Sequence, residues 1–276
     1  MRGLVFFVLA TAAFAQPKPI FKIDGLKPSE GGAAELLETF CPGQVDVGEE
    51  VKCREPLDGN EIPGFDCPPR ARMVTRGHFQ SPRSEDALLA YTACEPHSAH
   101  GGSTALLTRE GSVWKRLWHK PGLITDHCHR MTIRSGREIL VCEMTEGFPG
   151  VTSRGLFVVD VLREPDVPRN YYVDDDFFGV VDEMTCGGPG DVVGEPITHS
   201  YIERVEFHPR PSGDGENVTV FAQYGKTERT AEMIQTCSSP PTKPYRIDFL
   251  FDGHAYKVAP RSAGALRVFS QQSERP

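Results

Sequence analysis

The chain has 276 residues, of which 39% are hydrophobic and 25% are charged, so it has enough apolar side chains for a packed core. Its formal net charge of −8 at pH 7 argues against nucleic acid or an anionic membrane as a partner bound through bulk charge. Glycine (27 residues) and proline (23 residues) are abundant, which favours many turns over long helices.

The first fifteen residues have the pattern of a secretory signal peptide. One positive charge, Arg2, precedes an apolar run over residues 3–14, and small residues at Ala13 and Ala15 form a cleavage site. The run is shorter than the ~20 residues that span a bilayer, so no membrane span is predicted. We therefore expect a mature chain that begins at Gln16 and is secreted or periplasmic.

The chain has eight cysteines, and an exported protein folds in an oxidising compartment, so disulfide bonds are predicted. No two cysteines have the C-x-x-C spacing of a zinc ribbon or a thioredoxin-type redox site. Spacing alone leaves most of the pairing open. The cysteines are Cys41, Cys53, Cys67, Cys94, Cys128, Cys142, Cys186 and Cys237.

Residues 16–70 are predicted to form a separate N-terminal region. Residues 16–30 are interpreted as an extended segment. Residues 41–70 hold three cysteines, much proline and glycine, and almost no periodicity, which indicates an irregular region tied by disulfides. Between these parts one short helix is predicted, because apolar residues fall on one face at helical spacing before a Pro-Gly pair. These residues are Ala33, Leu36, Leu37 and Phe40.

Residues 71–276 alternate short apolar segments with turns, which predicts a domain of antiparallel β-strands. The same order occurs over residues 72–118 and again over 199–259. In each, a strand that ends in Phe leads through a Pro-containing loop to an apolar strand, and a long connection then leads to a hairpin. Segments 87–94 and 217–224 are predicted to be equivalent strands, apolar on both faces as expected between packed sheets.

A third meander-like unit separates these two, and Trp114 and Tyr256 are expected at equivalent places in the outer units. Repetition at ~40–50 residues is typical of propeller blades. The stretch GHFQSPRSEDALLAY, a Gly-x-Phe followed by an acidic loop and an apolar strand, resembles the FG-GAP or VCBS-type repeats of secreted propeller proteins. The resemblance implies a β-propeller-like fold.

The same resemblance implies a calcium-binding loop between the Phe and the apolar strand. The two loops carry fewer acidic residues than the family pattern, namely Glu85 and Asp86 in the first and Asp214 and Glu216 in the second. In these two loops calcium is therefore implied only by the resemblance, and no cofactor is predicted for the chain as a whole, although calcium stays an alternative. Because a closed propeller needs about four or more blades, a two-sheet β-sandwich is the alternative fold.

Catalytic motifs are scarce in this sequence. It has no Gly-x-Ser-x-Gly nucleophile elbow, no phosphate-binding Gly-x-x-x-x-Gly-Lys loop and no zinc-protease His-Glu-x-x-His. The HGGS stretch at residues 100–103 is similar to an esterase oxyanion loop, but without the elbow it is interpreted as a connection between strands. No catalytic residue is therefore predicted.

One candidate for metal binding is the acidic run Asp174, Asp175 and Asp176. Carboxylate oxygens are the ligands that calcium prefers. Phe177 and Phe178, however, occupy positions where a calcium loop needs ligands. A solvated acidic turn between strands is the alternative interpretation.

The second candidate is the pair His127 and His129. Residues two apart on a strand share a face, so these side chains lie together while Cys128 points to the other side. All three therefore cannot easily bind one metal ion, and a site with two histidines needs a third ligand from elsewhere. A structural role in a sheet is the alternative.

The stretch CHRMTIRSGREILVC predicts a hairpin around residues 134–136, with Gly136 in the left-handed conformation of a bulged turn. In this register Cys128 lies opposite Cys142 at a non-hydrogen-bonded pair, close enough for a disulfide. On the other face His129 joins apolar residues and is interpreted as a packed sheet residue. A second pairing, Cys186 with Cys237, is also predicted.

These features predict an exported, non-catalytic binding or structural module that displays loops from a β scaffold. Its partner is expected to be an extracellular ligand or protein. The alternative is a secreted hydrolase or metal-dependent enzyme whose site residues come together only in three dimensions.

Overall fold

The computed structural model describes residues 20–55, 68–92, 102–121, 123–148, 151–162, 177–183 and 192–270. In these residues fourteen strands pair antiparallel in three sheets, and in each sheet neighbouring strands follow one another along the chain. The predicted all-β class of antiparallel meanders is therefore confirmed. The propeller arrangement, the sandwich alternative and the family resemblance remain predictions. No helix in the described ranges is long and apolar enough to cross a bilayer.

Sheet 1 has six strands and is preceded by two short helices. The helices are α1 (Pro28–Gly31) and α2 (Ala33–Leu37). The strands are β1 (Val45–Val47), β2 (Val51–Cys53), β3 (Arg70–Gly77), β4 (Asp86–Thr92), β5 (Gly102–Glu110) and β6 (Val113–Pro121).

Sheets 2 and 3 have four strands each. Sheet 2 contains β7 (Cys128–Thr132), β8 (Glu138–Phe148), β9 (Val151–Val159) and β10 (Phe178–Glu183). Sheet 3 contains β11 (Pro196–Pro209), β12 (Glu216–Glu228), β13 (Lys243–Phe251) and β14 (Tyr256–Val258). Helix α3 (Ala231–Thr236) lies between β12 and β13, and a 3-10 turn (Pro260–Ser262) leads into α4 (Ala263–Ser270) after β14.

Alternation along the strands places the three sheets face to face around three cores. In β4, Leu89 packs with α2 in a first core on the outer side of sheet 1, while Leu88 points into a second core between sheets 1 and 2. In β9, Phe157 lies in that second core, while Leu156 points into a third core between sheets 2 and 3. Sheets 1 and 2 thus each bury both of their faces.

Residues 20–26, which we call the strap, bind to all three sheets. The backbone N–H of Val205 in β11 donates to the Ile20 carbonyl over 2.9 Å, and Asp24 N–H donates to the Cys128 carbonyl of β7 over 2.9 Å. Leu26 and Val74 of β3 exchange two hydrogen bonds of 2.8 and 3.0 Å. The extended segment predicted here therefore has a structural role, because it hydrogen-bonds to one strand in each of the three sheets.

The structure contains the hairpin and the disulfide that the register predicts. Cys128 pairs with Cys142, and their sulfur atoms are bonded. The turn closes through Gly136, whose φ is +79°. Cys41 and Cys53 form another disulfide, within the first core. Cys237 is also disulfide-bonded, but its predicted partner Cys186 lies outside the described residues.

Two features of the fold differ from the sequence-based expectation. The stretch after Cys41 is not wholly irregular, since β1 and β2 form a hairpin that joins sheet 1 through the pair Lys52 and Arg70. The predicted helix is α2, but α1, α3 and α4 are additional. None of the additional helices has more than eight residues, so their periodicity is too short to detect.

Candidate functional site

His129 lies on β7 and His127 just before it, and the His129 ring is held between two carboxylates. Its Nδ1 is 3.2 Å from Oδ2 of Asp24 in the strap, and its Nε2 is 2.8 Å from Oε2 of Glu216 in β12. The ring also stacks on Phe207 of β11, with centroids 3.8 Å apart. The His129 side chain is therefore held by protein groups on both sides of its ring, through a hydrogen bond at Nε2 and a close carboxylate at Nδ1.

His127 lies opposite a buried carboxylate, as the hairpin register predicts. The N–H of Glu143 donates to the His127 carbonyl over 2.8 Å, and the Glu143 side chain pairs with Arg154 over 2.9 Å. Only 4% of Glu143 is exposed, and burial raises the pKa of its carboxyl despite the opposing charges of Arg154 and His127. The ion pair of Glu143 and Arg154 therefore stabilises the interior of sheet 2.

Within the described ranges, no group of three or more His, Cys, Asp or Glu side chains is arranged to hold a metal ion. The acidic candidates Asp174, Asp175 and Asp176 lie outside those ranges, so their prediction stays untested.

The acidic residues of the two family-like loops all bind protein groups. Asp86 is fully buried and accepts hydrogen bonds from the backbone and side chain of Gln80 and from Ser84. Glu85 pairs with Arg109. In the second loop, Asp214 accepts from the Arg134 N–H, and Glu216 binds His129 as described. These carboxylates therefore stabilise loops and contacts between sheets.

A different surface gathers aromatic and charged residues, several of them exposed, on the face of sheet 3 that points away from the third core. In β12 and β13 the core side chains alternate with outward ones, because successive residues on a strand point to opposite faces. We call this surface the open face, and its members are Tyr201, Arg204, Phe221, Arg246, Asp248 and Leu250. Tyr201 is 39% exposed and Leu250 is 45% exposed.

Phe221 lies at the centre of the open face, with two arginines over it. The guanidinium carbon of Arg204 is 3.5 Å from the ring centroid, and that of Arg246 is 6.0 Å away. A cation over an aromatic face is attracted by the ring quadrupole, which holds both guanidinium groups near the ring. Arg204 also contacts Glu206 over 3.1 Å and Glu203 over 3.5 Å.

Asp248 binds two of the arginines of this surface, Arg246 and Arg261. Thr219 donates to its Oδ1 over 2.8 Å, and the guanidinium groups of Arg246 and Arg261 approach within 3.2 and 3.1 Å. Burial by itself raises the pKa of Asp248, but these hydrogen bonds and positive charges lower it overall. Asp248 is therefore ionised near neutral pH and orients two exposed arginines.

No protein-family model matches this chain, and no curated protein or solved structure is significantly similar to it.

The residues of the open face are not predicted from the sequence. The prediction that segment 217–224 is apolar on both faces and packed between sheets is wrong for β12, because one face of this strand points outward. The apolar residue on that face, Phe221, is covered by arginine side chains instead of a sheet. The available signal was the charged residues interspersed among the apolar ones in SYIERVEF and YRIDFLF. It identifies outward positions only once the register between the strands is known.

Proposed function

We propose that this protein is an exported binding module that binds an acidic surface of another protein through the open face of sheet 3. The observation that carries the proposal is the cluster of Arg204 and Arg246 around Phe221, with Tyr201 and Leu250 exposed on the same face of the sheet. Export itself rests on the predicted signal peptide.

The composition of the open face supports a protein as the partner. Protein interfaces are enriched in Tyr, Phe and Arg and depleted of Lys and Glu, and Tyr and Arg are frequent among the residues that dominate binding energy. Small-molecule sites are usually concave. The open face instead presents side chains from three adjacent strands of one sheet.

The two arginines at the Asp248 end of the open face support an acidic partner, whereas Arg204 already pairs with Glu203 and Glu206. Arg204 is 47% exposed, Arg246 is 59% exposed and Arg261 is 75% exposed. Arg246 and Arg261 share the single carboxylate of Asp248, so their positive charge is only partly compensated. A guanidinium group has more N–H donors than these ion pairs use, and its geometry matches a carboxylate.

The test uses fluorescein-labelled poly-L-glutamate as an acidic polypeptide probe, with binding followed by fluorescence anisotropy. We expect salt-sensitive binding that weakens at least about tenfold, or about 1.4 kcal/mol, in the Arg204→Ala/Arg246→Ala double variant. Arg83→Ala is the matched control, because Arg83 is exposed on the β3–β4 loop and makes no side-chain contact with the open face. Far-UV circular dichroism checks that each variant is folded.

Several outcomes would refute the proposal. If wild-type protein does not bind the probe at low salt, the proposal is refuted. It is also refuted if the double variant binds the probe as well as wild type does, because the open face is then not a site for acidic proteins. If heparin binds more tightly than poly-L-glutamate and this binding is lost in the double variant, the partner is a sulfated polysaccharide and not a protein. If sedimentation shows a dimer that the double variant does not form, the partner is a second copy of the chain.

A further inference from the structure

The carboxylate of Asp248 is held in place by buried groups from two other elements. Thr219 of β12 donates to its Oδ1 over 2.8 Å, and the Ser262 hydroxyl of the 3-10 turn donates to its Oδ2 over 3.4 Å. The Asp248 N–H donates to the Ser262 hydroxyl over 2.9 Å, and the Ala259 N–H donates to the Asp248 carbonyl over 2.7 Å. Only 7% of Asp248 is exposed. Its carboxylate therefore has a position that does not depend on the neighbouring arginines.

Arg246 and Arg261, which we call the arginine pair, both bind this one carboxylate through Nε. Nε of Arg246 donates to Oδ1 over 3.2 Å, and Nε of Arg261 donates to Oδ2 over 3.1 Å. A guanidinium group has five N–H donors, so each arginine keeps donors that these hydrogen bonds do not use. The two side chains are 59% and 75% exposed. Asp248 thus fixes both guanidinium groups on their Nε side and leaves other N–H groups accessible to a partner.

The charge balance of the arginine pair differs from that of Arg204. Two guanidinium groups share the single ionised carboxylate of Asp248, so one positive charge is uncompensated. Arg204 instead contacts two carboxylates, that of Glu203 over 3.5 Å and that of Glu206 over 3.1 Å, so no positive charge is left there. One uncompensated positive charge matches one carboxylate, which accepts two parallel N–H hydrogen bonds from a guanidinium group.

We propose that the arginine pair is the subsite of the open face that takes a carboxylate of the acidic partner, and that Asp248 is a positioning residue for this subsite. The proposal rests on the function proposed above. Arginine side chains lose rotamer freedom when they bind a ligand, and side chains that are ordered in advance lose less of it. An acidic residue therefore strengthens the binding of an acidic partner, which is the opposite of what net charge alone predicts.

The first measurement compares the binding of fluorescein-labelled poly-L-glutamate to wild-type protein and to Asp248→Asn, by fluorescence anisotropy at low salt. Asparagine keeps the shape of the side chain and an acceptor for Thr219, but it loses the charge that holds the arginine pair. We expect binding to weaken about threefold or more, which is the size of an exposed ion pair. An Asp248→Asn variant that binds as tightly as wild type, or more tightly, overturns the positioning role while the proposed function stands.

Glu49→Gln is the matched control for the loss of a negative charge. Glu49 is exposed in the turn between β1 and β2 of sheet 1, so its substitution removes the same charge far from the arginine pair along the chain. This variant should bind the probe as tightly as wild type or slightly more tightly. Weakening equal to that of Asp248→Asn would overturn the positioning role, because the effect would then be independent of the arginines.

The second measurement compares the single variants Arg261→Ala and Arg204→Ala with the same probe. Arg261→Ala should weaken binding at least as much as Arg204→Ala, because two carboxylates already compensate the charge of Arg204. A larger loss in Arg204→Ala would place the subsite beside Phe221 and overturn its assignment to the arginine pair.

The third measurement uses unsubstituted protein without a partner, so it does not depend on whether a variant folds. In 15N-labelled protein, the Nε–H groups of Arg246 and Arg261 should exchange with water more slowly than that of the exposed Arg83. Exchange as fast as that of Arg83 would refute the positioning role directly. Slow exchange in a protein that does not bind poly-L-glutamate at low salt would refute both the subsite and the proposed function, and would leave only a structural ion pair.

Discussion

Removing the disulfide between Cys128 and Cys142 should destabilise the protein by a predictable amount. The bond joins the two strands of the hairpin at a sequence separation of 14, and both cysteines are fully buried in the second core, between sheets 1 and 2. Alanine is the appropriate replacement, because serine would place a hydroxyl group in this apolar core without a partner.

The expected loss of stability follows from the size of the loop that the bond closes. A cross-link over ~15 residues restricts the unfolded chain by about 3 kcal/mol in the chain-entropy model, which is on the order of a 100-fold change in the folding equilibrium. The Cys128→Ala/Cys142→Ala variant should lose at least that much, because the buried sulfur atoms also pack against neighbours such as Leu140 and Phe157.

Urea unfolding followed by tryptophan fluorescence measures this loss. Both tryptophans, Trp114 and Trp118, lie on β6, and Trp118 packs against the second core, which contains the disulfide. The single variant Cys128→Ala is the control, because it breaks the bond but keeps the sulfur of Cys142. The single and double variants should lose similar amounts if the cross-link dominates. A loss below about 0.5 kcal/mol would refute the reasoning, as would a peptide that joins Cys128 to Cys94.

Three further predictions concern the buried carboxylate, processing and metal content. Burial raises the pKa of Glu143 in the folded state, so the free energy of unfolding should fall as the pH rises from acid through that pKa. Glu143→Gln should make this fall smaller, as measured by urea unfolding midpoints from pH 4 to pH 7. If the midpoints of the two proteins keep a constant difference, Glu143 is not the cause. Exported protein should begin at Gln16 in intact mass spectrometry, and retention of Met1 would contradict the signal peptide. Protein purified without chelators should contain no stoichiometric metal by elemental analysis, whereas stoichiometric metal would favour the metal-dependent enzyme.

The prediction of the central hairpin succeeded because its determinants are local. The turn, the spacing of the two cysteines and the alternation of apolar residues lie within about fifteen residues of one another, and a slip of one residue would move every side chain to the wrong face. The determinants of strands β4 and β12 are local in the same way, and so are those of the tight turns before Trp114 and Tyr256. For this reason the two strands and the two turns could be predicted.

The open face could not be predicted by the same reasoning. The pattern in segment 217–224 is compatible with a strand buried on both sides, and only the position of sheet 3 at the end of the stack leaves Phe221 facing outward. His129 shows the same limit, because its partners Asp24 and Glu216 are far from it along the chain. No periodicity within β7 encodes those contacts.

The amino-acid sequence by itself determined the β class, the meander order of the strands and the bond between Cys128 and Cys142, because turn chemistry and side-chain alternation act over a few neighbouring residues. The tertiary structure alone decided which faces of the sheets are covered, how the strap ties the sheets together and why His129 lies between two carboxylates. These features depend on the packing of apolar faces that are distant along the chain, and hydrophobic burial is non-directional, so a local pattern does not specify which surface covers which.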